Sequence, residues 1–229
     1  MNALVYGPSG SGKTVNTTTV ETKERGRNLL INTDNSAIVL RNFDRPNLDI
    51  VKANHWEYDY DVSSREIAHD SVVYLLDNAI SSGKYDNIIV DCLTDMFDLG
   101  ILEMEASGKY KDMRRAYMIM YHTIKRLIRK SGDAGTDIIW TAWEKVTMIP
   151  NVDGTEFPRV EPDIPAKIIN QVCGLCNIVG KVEHGKNKDG KEMWLYNCKG
   201  SASMIAKDQF MNRQYILPNE IFKANKEEK

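Results

Sequence analysis

Apolar residues in this chain gather into short unbroken runs, separated by stretches in which they recur at helical spacing. Runs at 4–6, 28–32, 87–91 and 136–142 show no polar alternation, the pattern of strands covered on both faces in a parallel sheet. A shorter strand is read at 48–51. Between them, Ile67, Val72, Leu75, Leu76 and Ile80 keep helical spacing, with Ser63 or Ser64 as cap and Gly83 as stop. A long helix is predicted over 113–130, with Met118, Tyr121, Ile124 and Ile128 inward and Lys125, Arg126, Arg129 and Lys130 outward. Strands alternating with helices predict an α/β fold with a mostly parallel, doubly wound sheet.

The last third changes character. Residues 165–170 read as a short helix with Pro165 in its first turn. Strand-like segments at 175–183 and 192–197 flank the polar run from Gly185 to Gly190, whose Asp189-Gly190 pair is a hairpin signal. A C-terminal antiparallel hairpin is therefore expected on the parallel sheet. With no repeat and no low-complexity linker, one domain is expected over 1–224, and 225–229 form a charged tail.

Composition narrows the classes. With 229 residues, 42% of them hydrophobic, the chain can bury a large core. Its net charge of −2 is not that of a generally basic nucleic-acid binder, so any DNA contact must come from a local patch. No apolar run reaches the roughly 18–20 residues of a membrane span, and the first strand leads straight into a glycine-rich loop. The expected place is the cytoplasm. Cys173-x-x-Cys176 with His184 and Cys198 has the outline of a zinc site, but the pair lies in an apolar stretch where cysteine acts as a small hydrophobe.

The chemistry concentrates in Gly7-Pro8-Ser9-Gly10-Ser11-Gly12-Lys13-Thr14, followed by Val15. This is a P-loop: the glycines let backbone N–H groups surround a phosphate, Lys13 supplies a cation to the β- and γ-phosphates, and Thr14 offers a hydroxyl to Mg²⁺. ATP with Mg²⁺ is the expected ligand. A phosphate loop needs a helix behind it, so one is expected over 13–25, although Thr17-Thr18-Thr19-Val20 is a poor helix former. Asp91, ending the most apolar strand, is the second candidate Mg²⁺ ligand. Cys92 follows where many P-loop ATPases carry the water-activating acid, and Asp34, after the second strand, is the candidate for that role.

The P-loop, the acid after the next strand and the run Asp91-Cys92-Leu93-Thr94 resemble the RecA-like ATPase core. More closely, the chain resembles phage-encoded RecA-like ATPases of the single-strand annealing and recombination group. The resemblance implies ATP hydrolysis stimulated by single-stranded DNA, a homo-oligomer with nucleotide between subunits, and a single-strand-binding protein as a further partner in a host cytoplasm. It places Lys207 as the residue reaching a neighbour's γ-phosphate, with Gln209 where relatives often carry a second cation. Thr141, Trp143 and Glu144 stand where a polar phosphate sensor is usual. It also implies DNA-binding loops at 99–116 and 145–165, with Lys109, Lys111, Arg114 and Arg115 around Tyr110 in the first, and Lys145 and Arg159 in the second. A nucleoside or nucleotide kinase, and a nucleotide-dependent switch or loader, are the alternatives from other classes.

Overall fold

In the computed structural model, which describes residues 1–56, 68–132, 135–186 and 189–224, the unbroken apolar runs become the centre of one sheet. Strands β1 (Asn2–Gly7), β2 (Asn28–Asn32), β3 (Leu48–Lys52), β4 (Asn87–Asp91) and the first half of β5 (Asp137–Pro150) lie parallel. β7 (Ile178–Lys186) extends the parallel set on the far side of β1. The order is β10-β8-β7-β1-β5-β4-β2-β3, with β6 (Glu156–Pro162) against β5 and β9 (Lys207–Asp208) against β7. β8 (Glu192–Asn197), β9, β10 (Tyr215–Ile216) and β6 are the antiparallel additions. The fold is α/β and mostly parallel with antiparallel C-terminal strands.

Strand alternation divides the core. Leu4, Tyr6, Ile88, Val90, Ile138 and Trp140 face α2 (Val72–Ser82), α3 (Leu93–Ala106), α4 (Met113–Gly132) and α5 (Ala166–Leu175). Ala3, Val5, Leu30, Ile89 and Ile139 face the other way, against Val20, Leu40, Ile221 and Phe222. Burial on both faces is what the lack of alternation in these strands demands.

Four elements depart from the sequence reading. The helix behind the P-loop, α1, spans only Lys13–Thr17. The Thr17, Thr18 and Thr19 hydroxyls donate back to the carbonyls of Lys13 (2.8 Å), Val15 (2.9 Å) and Asn16 (2.7 Å), and buried Asp86 accepts from the N–H groups of Lys23, Arg25 and Gly26. A local threonine run and a distant carboxylate together offer that backbone better partners than more helix. α2 starts at Val72, with the Ser71 hydroxyl accepting from the Tyr74 N–H at 3.2 Å; Ser63, Ser64 and Ile67 lie outside the described residues. The expected loop at 99–116 is mostly helix. α3 follows Cys92 directly and buries Leu93, Met96, Phe97, Gly100, Ile101 and Met104, leaving 107–112 as the connection. The expected loop at 145–165 is a hairpin, β5–β6, turned by Gly154 at φ +84° and by Asp153, which accepts from the Thr155 N–H at 2.9 Å.

Smaller shifts follow the same logic. α5 runs to Leu175, past the predicted 170 and through the predicted strand start at 175. On α4 the buried face is Ala116, Met120, Ile124, Leu127 and Ile128, so Met118 is exposed where it was expected inward. Among the described residues, no helix is long and apolar enough to cross a membrane.

Candidate functional site

The P-loop leaves the C-terminal end of β1 and closes at the start of α1, with Gly10 at φ +76° and Gly12 at φ +78°. Those left-handed conformations suit glycine and turn successive backbone N–H groups into one concavity. Lys13 is buried, and its amine donates to the carbonyls of Gly7 and Pro8, both at 2.9 Å. Burial pushes that amine below its usual range, while Asp91, Cys92, Glu144 and Asp34, in that order, act to raise it.

β4 delivers Asp91 to the same place. Its Oδ2 accepts from the Thr14 hydroxyl at 2.6 Å and the Ser36 hydroxyl at 2.9 Å, and its Oδ1 accepts from the Thr141 hydroxyl. Asp91 is only 2% exposed. Burial pushes its carboxyl up against the pull of the Thr14 and Thr141 hydroxyls, and the Asp34 charge adds to the rise. A carboxylate and a threonine hydroxyl in contact, both hard oxygen donors in a place that disfavours lone negative charge, fit a Mg²⁺ ion. Ser36 was missed from sequence; its signal was the turn Asp34-Asn35-Ser36 after a strand end.

The cleft between these groups has a volume of about 270 Å³ and is bounded by the P-loop, Val15, Asp34, Ser36, Val39, Asp91 and Trp143. A larger groove of about 530 Å³ lies along the 3₁₀ turn Ser36–Asn42 and β3, lined by Ile38, Phe43 and Ile50 and lacking the P-loop, so it is the smaller cleft that gathers the motif residues. Asp34 reaches that cleft as a turn residue, its Oδ1 accepting from the Ser36 N–H at 2.7 Å. Trp143 sits level with Gly7 in the β1–β5 register. Glu144, the next residue, has an enclosed Oε2 without a hydrogen bond and lies 3.8 Å from the Lys181 amine. Trp194, on β8, was also missed: a Cβ added at Gly12 would lie 3.4 Å from its ring. His184 meets that ring edge-on at 3.6 Å between centroids.

The remaining sequence candidates lie elsewhere. Lys207 pairs with Val179, at the level of Leu4 rather than Gly7, and its amine donates to the Gln209 side chain at 3.0 Å and the Gly174 carbonyl at 3.3 Å. Lys145 donates to the Ile164 carbonyl at 2.6 Å and pairs with Asp163, and Arg159 holds the buried Glu161 through two bonds. Lys109 and Lys111 are exposed in the connection before α4, and Arg114 and Arg115 are exposed in its first turn, where Arg114 grips Asp112. Tyr110 packs against the core, and the exposed ring there is Tyr117. Cys173 and Cys176 lie in one core layer and Cys198 in the other. Among the described residues, no cluster of His, Cys, Asp or Glu suits a metal ion.

Comparison with known proteins identifies the family of the chain. No curated protein matches the chain. Among solved structures, a KaiC-like protein from the archaeon Pyrococcus horikoshii OT3 aligns with a TM-score of 0.45 at 12% identity, covering 85% of this chain and 77% of that one. The family model described as an AAA domain matches residues 1–210, from the first strand to the turn after β9, and the chain therefore belongs to the AAA domain family.

Proposed function

We propose that this protein is a Mg²⁺-dependent ATPase whose turnover is coupled to single-stranded DNA, in annealing or strand pairing during phage recombination or replication. The observation that carries it is the contact of the Thr14 hydroxyl with Asp91 at 2.6 Å, beside the buried amine of Lys13. Thr14 and Asp91 would hold the Mg²⁺, which supplies positive charge against the β- and γ-phosphates. The chain's own groups do the rest. The glycine-rich backbone orients the phosphates, and Lys13, leaving the carbonyls of Gly7 and Pro8, turns its charge onto the oxygens that gain negative charge in the transition state.

The DNA part of the proposal is supported by Arg114 and Arg115, exposed on the first turn of α4 beside Lys109, Lys111 and the exposed Tyr117. Cations next to an open aromatic ring suit a phosphate backbone with stacked bases. Lys145 and Arg159 lend less support, since both hold partners within the β5–β6 hairpin region. Nucleotide shared between copies of the chain, with Lys207 reaching the neighbour's phosphate, is the assembly proposed with it.

The test is ATP hydrolysis measured alone, with single-stranded DNA, and with nucleosides or nucleotides as acceptors. Stimulation by single strands that is lost in Arg114→Glu/Arg115→Glu supports the proposal. Phosphate transfer to an acceptor identifies a kinase instead, and ATP binding without turnover in every mixture identifies a switch.

A further inference from the structure

Of the twelve large apolar side chains exposed among the described residues, eight fall in two short stretches, 38–50 and 143–152, so the exposure forms patches rather than scatter. The first patch is the groove beside the 3₁₀ turn. Ile38, Phe43 and Ile50 give it apolar surface, and Arg41, Arg45 and Lys52 line it with positive charge. No acid among the described residues lines it. Asp49 turns to the opposite face of β3, where it pairs with Arg27 and Lys84. Arg45 lies over the Phe43 ring, 5.5 Å from its centre, with an enclosed Nε that makes no hydrogen bond. β3 is also the last strand of the sheet, so its outer edge has no strand partner among the described residues.

The second patch is the β5–β6 hairpin, whose tip has the complementary charge. Val146, Met148 and Val152 are exposed, the last completely, and Ile149 pairs with Phe157 across the two strands. Between Lys145 and Arg159 there is no cation, while Asp153 and Glu156 are exposed acids. A tip of that charge repels phosphate and suits a cationic surface. Its shape is already set: the Asn151 N–H donates to the Thr155 carbonyl at 2.6 Å, and the Asn151 amide donates to the Thr155 hydroxyl at 2.9 Å. Docking such a turn costs little further ordering.

Within one copy the two patches lie on different flanks. β4 and β2 stand between β5 and β3. The base of the hairpin is tied to the far side: the Val160 N–H donates to the Ser203 carbonyl at 2.8 Å, and its carbonyl accepts from the Ile205 N–H at 3.1 Å, just before β9 joins β7.

We propose that the hairpin tip of one copy docks in the groove of a second copy, setting its apolar residues on Ile38, Phe43 and Ile50 and its acids against Arg41, Arg45 and Lys52. This rests on the assembly proposed above and supplies the contact that holds it. Because the two surfaces differ, the contact repeats head to tail, closing as a ring or continuing as a filament. The groove shares a wall with the nucleotide cleft. Ser36 and Val39 line the cleft, with the Ser36 hydroxyl on Asp91 at 2.9 Å, while Ile38 and Arg41 of the same turn line the groove. A docked hairpin therefore rests on the turn that reaches the candidate Mg²⁺ ligand.

Sedimentation velocity on the full chain, up to about 100 µM and in the presence of Mg²⁺ and a non-hydrolysable ATP analogue, tests the contact. Compared are the wild type, a groove variant, Ile38→Asp/Arg41→Glu, and a hairpin variant, Val152→Lys/Glu156→Lys, each first shown to unfold cooperatively in urea. The wild type should grow beyond a dimer with concentration, and each variant alone should associate at least about tenfold more weakly. An equimolar mixture of the two variants should form one dimer and stop, since each lends the surface that the other has lost. A mixture that stays monomeric overturns the contact, and so does either variant assembling as tightly as the wild type; survival of the hairpin variant alone identifies groove-to-groove pairing instead. A wild type that stays monomeric overturns the contact together with the assembly, and leaves the groove to a different protein. Turnover is not read in this experiment, so a failure of ATP hydrolysis bears on the ATPase reading alone.

Discussion

Alanine at two P-loop glycines should have unequal consequences, and the structure says which neighbour makes the difference. Gly10 and Gly12 have nearly the same backbone, φ +76° and +78°. A side chain in the left-handed region costs about 1–2 kcal/mol at either position. At Gly10 nothing lies within 4 Å of an added Cβ, so Gly10→Ala should cost only that. At Gly12 the Cβ would meet Asn16 Nδ2 at 2.9 Å and the Trp194 ring at 3.4 Å. The ring distance is ordinary contact, but 2.9 Å is not, and Asn16 is 6% exposed with an amide that has no hydrogen-bond partner. Overpacking of that kind adds about 1 kcal/mol, giving about 2–3 kcal/mol for Gly12→Ala. Urea unfolding of nucleotide-free protein measures both, since bound nucleotide would add its own stabilisation. In a double-mutant cycle, Asn16→Ala should recover about 1 kcal/mol of the Gly12→Ala loss, and Trp194→Ala should recover none. Equal costs at the two glycines, or rescue by Trp194→Ala alone, would refute this account of the loop.

Two further outcomes follow from buried groups. Cys92, Cys173, Cys176 and Cys198 are all buried, and burial pushes the Cys92, Cys173 and Cys198 thiols up to about 12 and Cys176 higher still. The native protein at pH 8 should leave an aromatic disulfide reagent unreacted for minutes and release four equivalents once denatured; a fast native thiol would contradict the packing. Burial alone would lift the Asp208 carboxyl, but the Arg213 guanidinium at 2.7 Å and the N–H groups of Met211 and Arg213 hold it below the usual range. A depressed carboxyl adds stability that is fully present above its unfolded value, near 3.9, and is lost as pH falls below it. Asp208→Asn should therefore cost about 3 kcal/mol at pH 7, with the gap to wild type narrowing below about pH 4; a gap constant down to pH 3 would show that the ion pair contributes nothing.

Much of this protein was written in local sequence, and the boundary is a physical one. The central strands were legible because a strand buried on both faces has no freedom to be polar, as Leu29–Ile31 and Ile88–Val90 show. The P-loop was legible because its chemistry requires fixed residue types at fixed spacing. α3 and the β5–β6 hairpin were legible in principle: Leu93, Met96, Phe97, Gly100, Ile101 and Met104 keep helical spacing, and Asp153-Gly154 is a turn signal. The expectation of DNA-binding loops displaced those local patterns.

Other features could not be read from any window of residues. α1 stops at Thr17 partly because Asp86, far along the chain, takes the N–H groups of Lys23, Arg25 and Gly26. Three hydroxyls, from Thr14, Ser36 and Thr141, converge on Asp91 only because β4 lies between β2 and β5. Glu144 and Lys181 become neighbours only because β5 and β7 flank β1. Periodicity and motif spacing are properties of adjacent residues and survive in a string. Which carboxylate finds which cation depends on strand order, and that is decided when the whole sheet assembles.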